Sequence, residues 1–352
     1  MLSVTIAHRP LPLRSAFSAG ALGVILLVAS GCTATTPGSA PAPIPTSTYV
    51  SDYVAPEPTT LTPLTGETVE LGAHDNPSLA AKIDNHVAAR PQVGLERTDI
   101  VFEELVEGGL TRYVAIWQSD LPDEIGPVRS IRPMDPDIVS AFGGIITYSG
   151  GQPQFVSLMQ NAPVYNAVHG QAIHEDTFFR TPDKISPHNV IVRAKKLVGQ
   201  ESSLSAPKQQ FAFAQGVGTS TAVIEGVATR QLSLAFSNAS TPSWKWNAKS
   251  ASWLRSQGGK ADKDGNGDQL SAVNVVVLRV GVTTGLGVPK TELIGKGDAV
   301  IATGGFRINA TWSKKSATSP IKLVDEQGIV IRLAPGNSWI ELVPTAGSVM
   351  AE

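Results

Sequence analysis

The sequence predicts an α/β fold: a mixed, layered α/β domain over residues 64–205, then a mainly β domain over residues 212–347. Three observations lead there. Apolar runs of strand length alternate with short helix-like segments up to about residue 200. From about Ala212 onward the runs are β-rich and separated by Gly, Ser, Asp and Pro turns. Ahead of both lie two stretches whose composition suits no core.

The first of these opens with Arg9 and Arg14. An apolar run from Ala16 to Ala29 follows, and then Ser30-Gly31-Cys32. A basic front, a short apolar core and small residues at the cut form a secretory signal. The run is shorter than the ~20 apolar residues that span a bilayer. Cys32 is the only cysteine in the chain. Its place directly after the small residues marks residues 1–31 as a lipoprotein signal peptide and Cys32 as the lipidated residue. Acyl chains hold by burying CH₂ groups at ~0.8 kcal/mol each. The expected location is therefore the outer face of the cytoplasmic membrane, with the membrane as a partner through Cys32. Lipidation uses the sole thiol, so no disulfide is expected. Residues 32–63 carry Pro37, Pro41, Pro43, Pro45, Pro56, Pro58 and many Thr and Ser. They read as a disordered tether. The net charge of −2 argues against nucleic acid as a partner.

In the first domain, order is expected to begin near Leu64. Strands are expected over 79–83, 99–105 and 110–118. In the last, Tyr113, Ala115 and Trp117 alternate with Val114 and Ile116, which places apolar groups on both faces. Asp135-Pro136 reads as an N-cap with proline at the first helical position, opening a helix to about Ala141. A strand over 144–148 leads through Ser149-Gly150-Gly151 into a helix over 153–160. A connector over 202–210 follows. In the second domain, strands are expected over 221–226, 231–236, 243–246, 272–280, 299–301, 306–312, 329–333 and 339–343.

A series of blocks runs through both domains. It comprises Lys82-Ile83-Asp84-Asn85-His86, Arg90-Pro91-Gln92-Val93-Gly94-Leu95, Glu107-Gly108-Gly109, Gly126-Pro127-Val128-Arg129-Ser130-Ile131-Arg132-Pro133 and Pro187-His188-Asn189. Pro335-Gly336-Asn337-Ser338-Trp339 closes it. The series resembles the YerB-like lipoprotein family, also called DUF3048. The resemblance covers about residues 64–346 and implies an α/β fold with a β-rich C-terminal part. It implies no reaction. The turn at Lys260-Ala261-Asp262 departs from the family pattern, where a histidine is expected.

The chemistry must come from the residues. Glu103, Glu104, Glu107, Arg112, Arg129 and Arg132 form the densest polar cluster. Neighbours on a strand point to opposite faces, so one of Glu103 and Glu104 should face inward and need a partner. Arg129 and Arg132, in a loop stiffened by Gly126-Pro127, read as a site for phosphate or carboxylate. An Arg–Glu network that only fixes the loop is the alternative. Gly150 and Gly151 would let backbone N–H groups approach an anion, or simply make a tight turn. His188, with Arg180, could join the same cleft. His169 and His174 lack metalloprotease spacing, and Ser130 is the one serine inside the cluster.

Asp262-Lys263-Asp264-Gly265-Asn266-Gly267-Asp268 imitates the front of a calcium loop, but position 12 is Val273. It reads better as a hairpin tip. No metal and no cofactor is expected. Trp244 and Trp246 share a strand face and read as core or as a sugar-binding row.

The expectation is an envelope lipoprotein that binds an anionic envelope polymer or a lipid-linked phosphate. The binding group would be Arg112, Arg129, Arg132, Glu103, Glu104, Gly150, Gly151 and His188. The alternative is an envelope hydrolase or transferase acting on phosphate or glycan bonds, with one of the glutamates or His188 as acid or base.

Overall fold

A computed structural model of the protein describes residues 56–352. The signal segment, Cys32 and the tether up to residue 55 lie outside the described residues. Among the described residues, the backbone of the fold is a twelve-stranded mixed sheet. From its middle to one edge it runs in the order Asn274–Thr283, Ser338–Pro344, Ile100–Leu105, Thr111–Trp117, Leu79–Asp84, Ile145–Tyr148, Tyr165–Val168. Helices are few and short: Asp135–Val139, Pro153–Gln160, Ala194–Gln200 and Thr221–Glu225. The N-terminal region is thus a mixed sheet with few helices, and the C-terminal region is mostly antiparallel β.

The sheet takes strands from both halves of the chain. Ser338 to Glu341 pair in parallel with Ile100 to Glu103. Ser338–Pro344 also pairs in parallel with Asn274–Thr283 on its other side. No break in the sheet marks the passage from one half to the other.

Both faces of this sheet are covered, so its central strands are mainly apolar, with the buried charges Lys82, Glu103, Glu104 and Glu341 as exceptions. Phe102, Val114, Ile116, Ile146, Leu278 and Ile340 pack on one face with the helices. Val101, Tyr113, Ala115, Trp117, Val275 and Trp339 pack on the other. That second face meets a six-stranded antiparallel sheet that includes Gln231–Ala235, Pro242–Asn247 and Ser252–Gln257. Trp244 of this sheet packs edge-on against Trp339 of the large one, with ring centroids 5.2 Å apart. The tryptophans Trp244, Trp253, Trp312 and Trp339 are therefore core residues, and Trp246 lies tilted against Trp253, with ring centroids 5.4 Å apart. Of the sugar-binding row, Trp244 is sealed in the core and only Trp246 keeps partial exposure.

Three local expectations are corrected. Residues 221–225 form a helix, not a strand. Gly226 ends it where a Cβ would lie 2.2 Å from the Ala222 carbonyl and 2.5 Å from that of Arg307. Of the run 329–333 only Arg332–Leu333 forms a strand, paired in parallel with Ala212–Phe213, while Val330 makes a single antiparallel bridge to Val324. Thr59–Leu61, at the end of the presumptive tether, pairs with Thr68–Glu70, as β-branched residues favour.

A buried charge sits where the two sheets meet. Arg255 is fully buried and its guanidinium donates to Glu103, Asp262 and Gln257. Its Cζ lies 5.0 Å from the Trp339 ring centroid and 5.5 Å from that of Tyr113, close enough for cation–π attraction. Glu341 stands beside Glu103 in the parallel register and accepts from Trp244 Nε1 at 2.7 Å. Burial, and then repulsion from Glu103, push the Glu341 carboxyl well above its usual range, which favours its protonated form.

Two outcomes follow from this network. Arg255→Leu leaves Glu103 and Asp262 buried without a counter-ion and costs about 3–5 kcal/mol of stability, measured by urea unfolding. The Glu341 carboxyl holds its proton more tightly folded than unfolded. Stability therefore falls as pH rises above the unfolded value of about 4.3, by up to about 1.4 kcal/mol per pH unit. Glu341→Gln keeps an acceptor for Trp244 Nε1 and should flatten this slope. An unchanged slope in urea titrations between pH 4.5 and 8 would show that Glu341 is ionised in the fold.

Candidate functional site

Leu79–Asp84, Ile145–Tyr148 and Tyr165–Val168 run parallel to one another. Their C-terminal ends share one edge of the sheet, the side on which parallel strands present ligand-binding loops. The loop that carries the arginines is stitched along this edge. Asp84 N donates to Pro127 O at 2.9 Å, and Arg129 N donates to Lys82 O at 2.7 Å. On its other side, Ser149 N donates to Arg129 O at 3.0 Å and Ile131 N to Gly150 O at 3.1 Å.

The side chains then converge. Arg112, Arg129, Arg132 and His188 line one cavity of about 130 Å³, together with Asp84, His86 and Glu107. Arg112 reaches it from Thr111–Trp117 and donates to Ser130 O at 2.6 Å. Arg132 donates to Ile131 O at 2.8 Å and pairs with Glu107 at 2.7 Å. Arg129 Nε lies 3.3 Å from Asp84 Oδ2. His188 Nδ1 lies 2.6 Å from the same oxygen, and its ring stacks on His86 at 4.4 Å. His86 Nδ1 is itself an acceptor, from Ala88 N at 3.1 Å, which places the His86 proton on Nε2.

The electrostatics of this group are unbalanced. Burial, and then repulsion from Arg132, lower Arg112 to about 10, with Arg129 adding to the effect. Glu107 is pushed up by partial burial, but the Arg132 hydrogen bond outweighs this and holds it below its usual range. Arg112 pairs with no carboxylate among the described residues; its partner is a carbonyl.

Glu103 and Glu104 do not reach the cavity. Each faces a different side of the sheet, as alternation requires, but both sides are covered and both residues are fully buried. The expectation of one inward glutamate becomes two. Glu103 meets Arg255 and accepts from Thr111 at 2.6 Å. Glu104 pairs with Lys82, which also pairs with Asp135 at 2.7 Å. Burial pulls the Lys82 ammonium down to about 8 even with Asp135 beside it. Asp135 Oδ2 in turn accepts from Arg132 N at 2.6 Å. Asp135, read from sequence as a helix cap, is therefore a support for the arginine loop.

Gly150 and Gly151 lie behind that loop rather than on the cavity wall. Gly150 takes a left-handed φ of 71°, and a Cβ on Gly151 would come within 2.9 Å of Ile131 Cγ1. Ser130 contributes its carbonyl to Arg112, while its hydroxyl donates to Ser149 O at 3.0 Å. Arg180 is held by Asn189 at 2.7 Å, away from the cavity lining.

The pseudo-calcium loop is a docking element. Asp262 pairs with Arg255, and the Asp264 carboxylate accepts from Leu95 N at 2.9 Å and Gly94 N at 3.2 Å.

Sequence reasoning missed Asp84, Arg255 and Glu341. Each had a signal: a charge inside or at the end of an apolar strand, where only a buried partner makes it tolerable.

Residues 64–206 match the model of "Protein of unknown function (DUF3048) N-terminal domain". Residues 232–340 match the corresponding C-terminal domain. The chain belongs to the DUF3048 family. A 127-residue stretch is 35% identical to "Putative lipoprotein YerB" of Bacillus subtilis (strain 168). That stretch spans 36% of this chain and 38% of the relative. The crystal structure of YerB protein from Bacillus subtilis has the same fold, with a TM-score of 0.71 at 23% identity. The likeness covers 83% of this chain and 99% of that one. A DUF3048 protein related to a named lipoprotein is consistent with export and a lipid anchor. Among the described residues no helix is long and apolar enough to cross a membrane.

Lys82→Met removes the sole cation between Glu104 and Asp135. It should cost about 3–5 kcal/mol in urea unfolding and should loosen the arginine loop, seen as faster amide exchange at Arg132.

Proposed function

We propose that this DUF3048 protein is a cell-envelope lipoprotein that captures the anionic head of an envelope molecule. The capturing groups are Arg112, Arg129, Arg132 and His188. One observation carries the reading: three guanidiniums line a single cavity with too few carboxylates to balance them. Like charges crowded in a partly buried space repel strongly, and a bound anion relieves that repulsion. Arginine forks suit phosphate and carboxylate oxygens.

The cavity sets the size of what fits. A volume of about 130 Å³ compares with about 30 Å³ for each water in the liquid. It suits one phosphate or carboxylate group, not a whole sugar unit. The rest of the ligand would lie outside. A phosphate on an envelope glycopolymer or a lipid-linked phosphate meets that description, and Cys32 lipidation would keep the cleft near either.

The second reading, an envelope hydrolase or transferase, loses Glu103 and Glu104, which are sealed and paired. What favours it is the Asp84–His188 contact, since a carboxylate on Nδ1 is how a catalytic imidazole is held.

Titration calorimetry with inorganic phosphate, then with isolated envelope polymer, tests the binding reading. The Arg129→Ala, Arg132→Ala double variant should remain folded and lose at least about 100-fold in affinity, since two charged hydrogen-bonding groups are removed. Unchanged binding would sink the proposal. Phosphate-ester turnover lost in His188→Gln would favour the second reading instead.

A further inference from the structure

The same sheet edge carries a second pair of residues that the arginine cleft does not use. Tyr148 and Val168 are the last paired residues of their two parallel strands. One step further along each strand stand Ser149 and His169. His169 N donates to Tyr148 O at 3.0 Å, which continues the ladder. Ser149 Oγ and His169 Nδ1 are then 3.1 Å apart. The two are twenty positions apart in sequence, and only the parallel register brings them together.

We infer that Ser149 and His169 are a nucleophile–base pair that cleaves carboxylic esters. Four features support this. First, the hydroxyl and the ring nitrogen are within hydrogen-bond reach, the requirement for activating a serine. Second, Ser149 stands on a sharp strand-to-helix turn. Gly150 has φ of 71° and the helix Pro153–Gln160 follows. This is the placement that exposes a serine nucleophile at the end of a parallel strand. Third, the Gly150 and Gly151 N–H groups donate to no protein acceptor among the described residues. Gly150 is the residue after the serine, and its N–H is the one that a nucleophile elbow lends to its oxyanion hole. Fourth, His169 borders a cavity of about 400 Å³ whose wall also includes Ala172, His174, Glu175 and Phe178; Ser149 is not on that wall but is joined to it through its contact with His169. That space takes a small acyl group, with apolar carbon on Phe178 and Ala172.

The state of the imidazole suits the role. Partial burial, and then the charge of Arg180, hold His169 below its usual value, so it is neutral at pH 7 and able to accept a proton. Its ring is set edge-on against Phe178 at 5.6 Å. No carboxylate pairs with it among the described residues, so turnover should be modest compared with a full triad.

The chemistry balances with ester and water alone. Ser149 Oγ bonds to the ester carbonyl carbon while its proton passes to His169 Nδ1. The tetrahedral intermediate collapses, the bond to the alcohol oxygen breaks, and His169 gives that oxygen the proton. Water then repeats the sequence on the acyl-serine and releases the acid, restoring both residues.

The test uses the full chain in detergent. A fluorophosphonate probe should label Ser149, located by peptide mass spectrometry, and 4-nitrophenyl acetate should be hydrolysed. Ser149→Ala should abolish both. His169→Gln should slow both by about 100-fold or more, the usual scale for a general base, with an unchanged circular-dichroism spectrum. The wild-type rate should fall as pH drops and His169 gains a proton. Probe missing from Ser149, or ester turnover retained in Ser149→Ala, would overturn the inference.

Discussion

The pairing of Arg255 with Glu103 is the contact on which the architecture turns. Glu103 lies in the middle of the large sheet, on a strand hydrogen-bonded to Ser338–Pro344. Arg255 belongs to the smaller sheet that packs over it. Each charge alone would be intolerable at full burial, so neither sheet can close without the other. The neighbouring Asp262 also accepts from Arg255, and Glu341 beside Glu103 accepts from Trp244 Nε1. Hydrophobic burial supplies most of the favourable free energy of folding, but it is non-directional. The ion pair and its aromatic surround add a register: the sheets must meet with Arg255 over Glu103 and among Tyr113, Trp244 and Trp339.

A second buried group performs the same service for the cleft. Lys82 joins Glu104 to Asp135, and Asp135 holds the backbone of Arg132. The arginine loop is thus anchored from below by charges and from the sides by backbone bonds to Lys82 and Ser149. A positive cluster of this kind repels itself, and an unsupported loop would splay. Rigid support keeps three guanidiniums around a space of fixed size, which is what recognition of a small anion requires. Both candidate sites lie on the C-terminal edge of the same three parallel strands. Asp84, Ser149 and His169 are each at or one step beyond a strand end. One geometric feature of the sheet therefore supplies positions for two kinds of chemistry.

Much of the fold was legible because the sheet is buried on both faces. Strands such as 79–83, 110–118 and 272–280 are mostly apolar, broken only by Lys82, by Thr111, Arg112 and Gln118, and by Asn274 and Arg279, and that signal survives without any knowledge of partners. The helix over 153–160 was marked by its proline and by Phe155 and Met159 four apart. Residues 221–225 misled because Thr, Val and Ile carry strand propensity, yet the chain there is closed by a glycine pressed against Arg307. Within the site, the convergence of Arg112, Arg129, Arg132 and His188 was anticipated. The destination of the glutamates was not, since their partners Arg255 and Lys82 come from strands whose positions beside them depend on pairing.

The sequence by itself determined the export signal with its single cysteine as an expectation, the α/β-then-β order of elements, and the family. These depend on composition, local periodicity and ordered motifs, all of which are properties of neighbouring residues. Only the tertiary structure decided that the two halves share one sheet, that Glu103 and Glu104 are sealed, and that Ser149 meets His169. Each of these is set by strand register. A shift of one residue would turn every side chain to the other face, and no local pattern records which strands lie side by side.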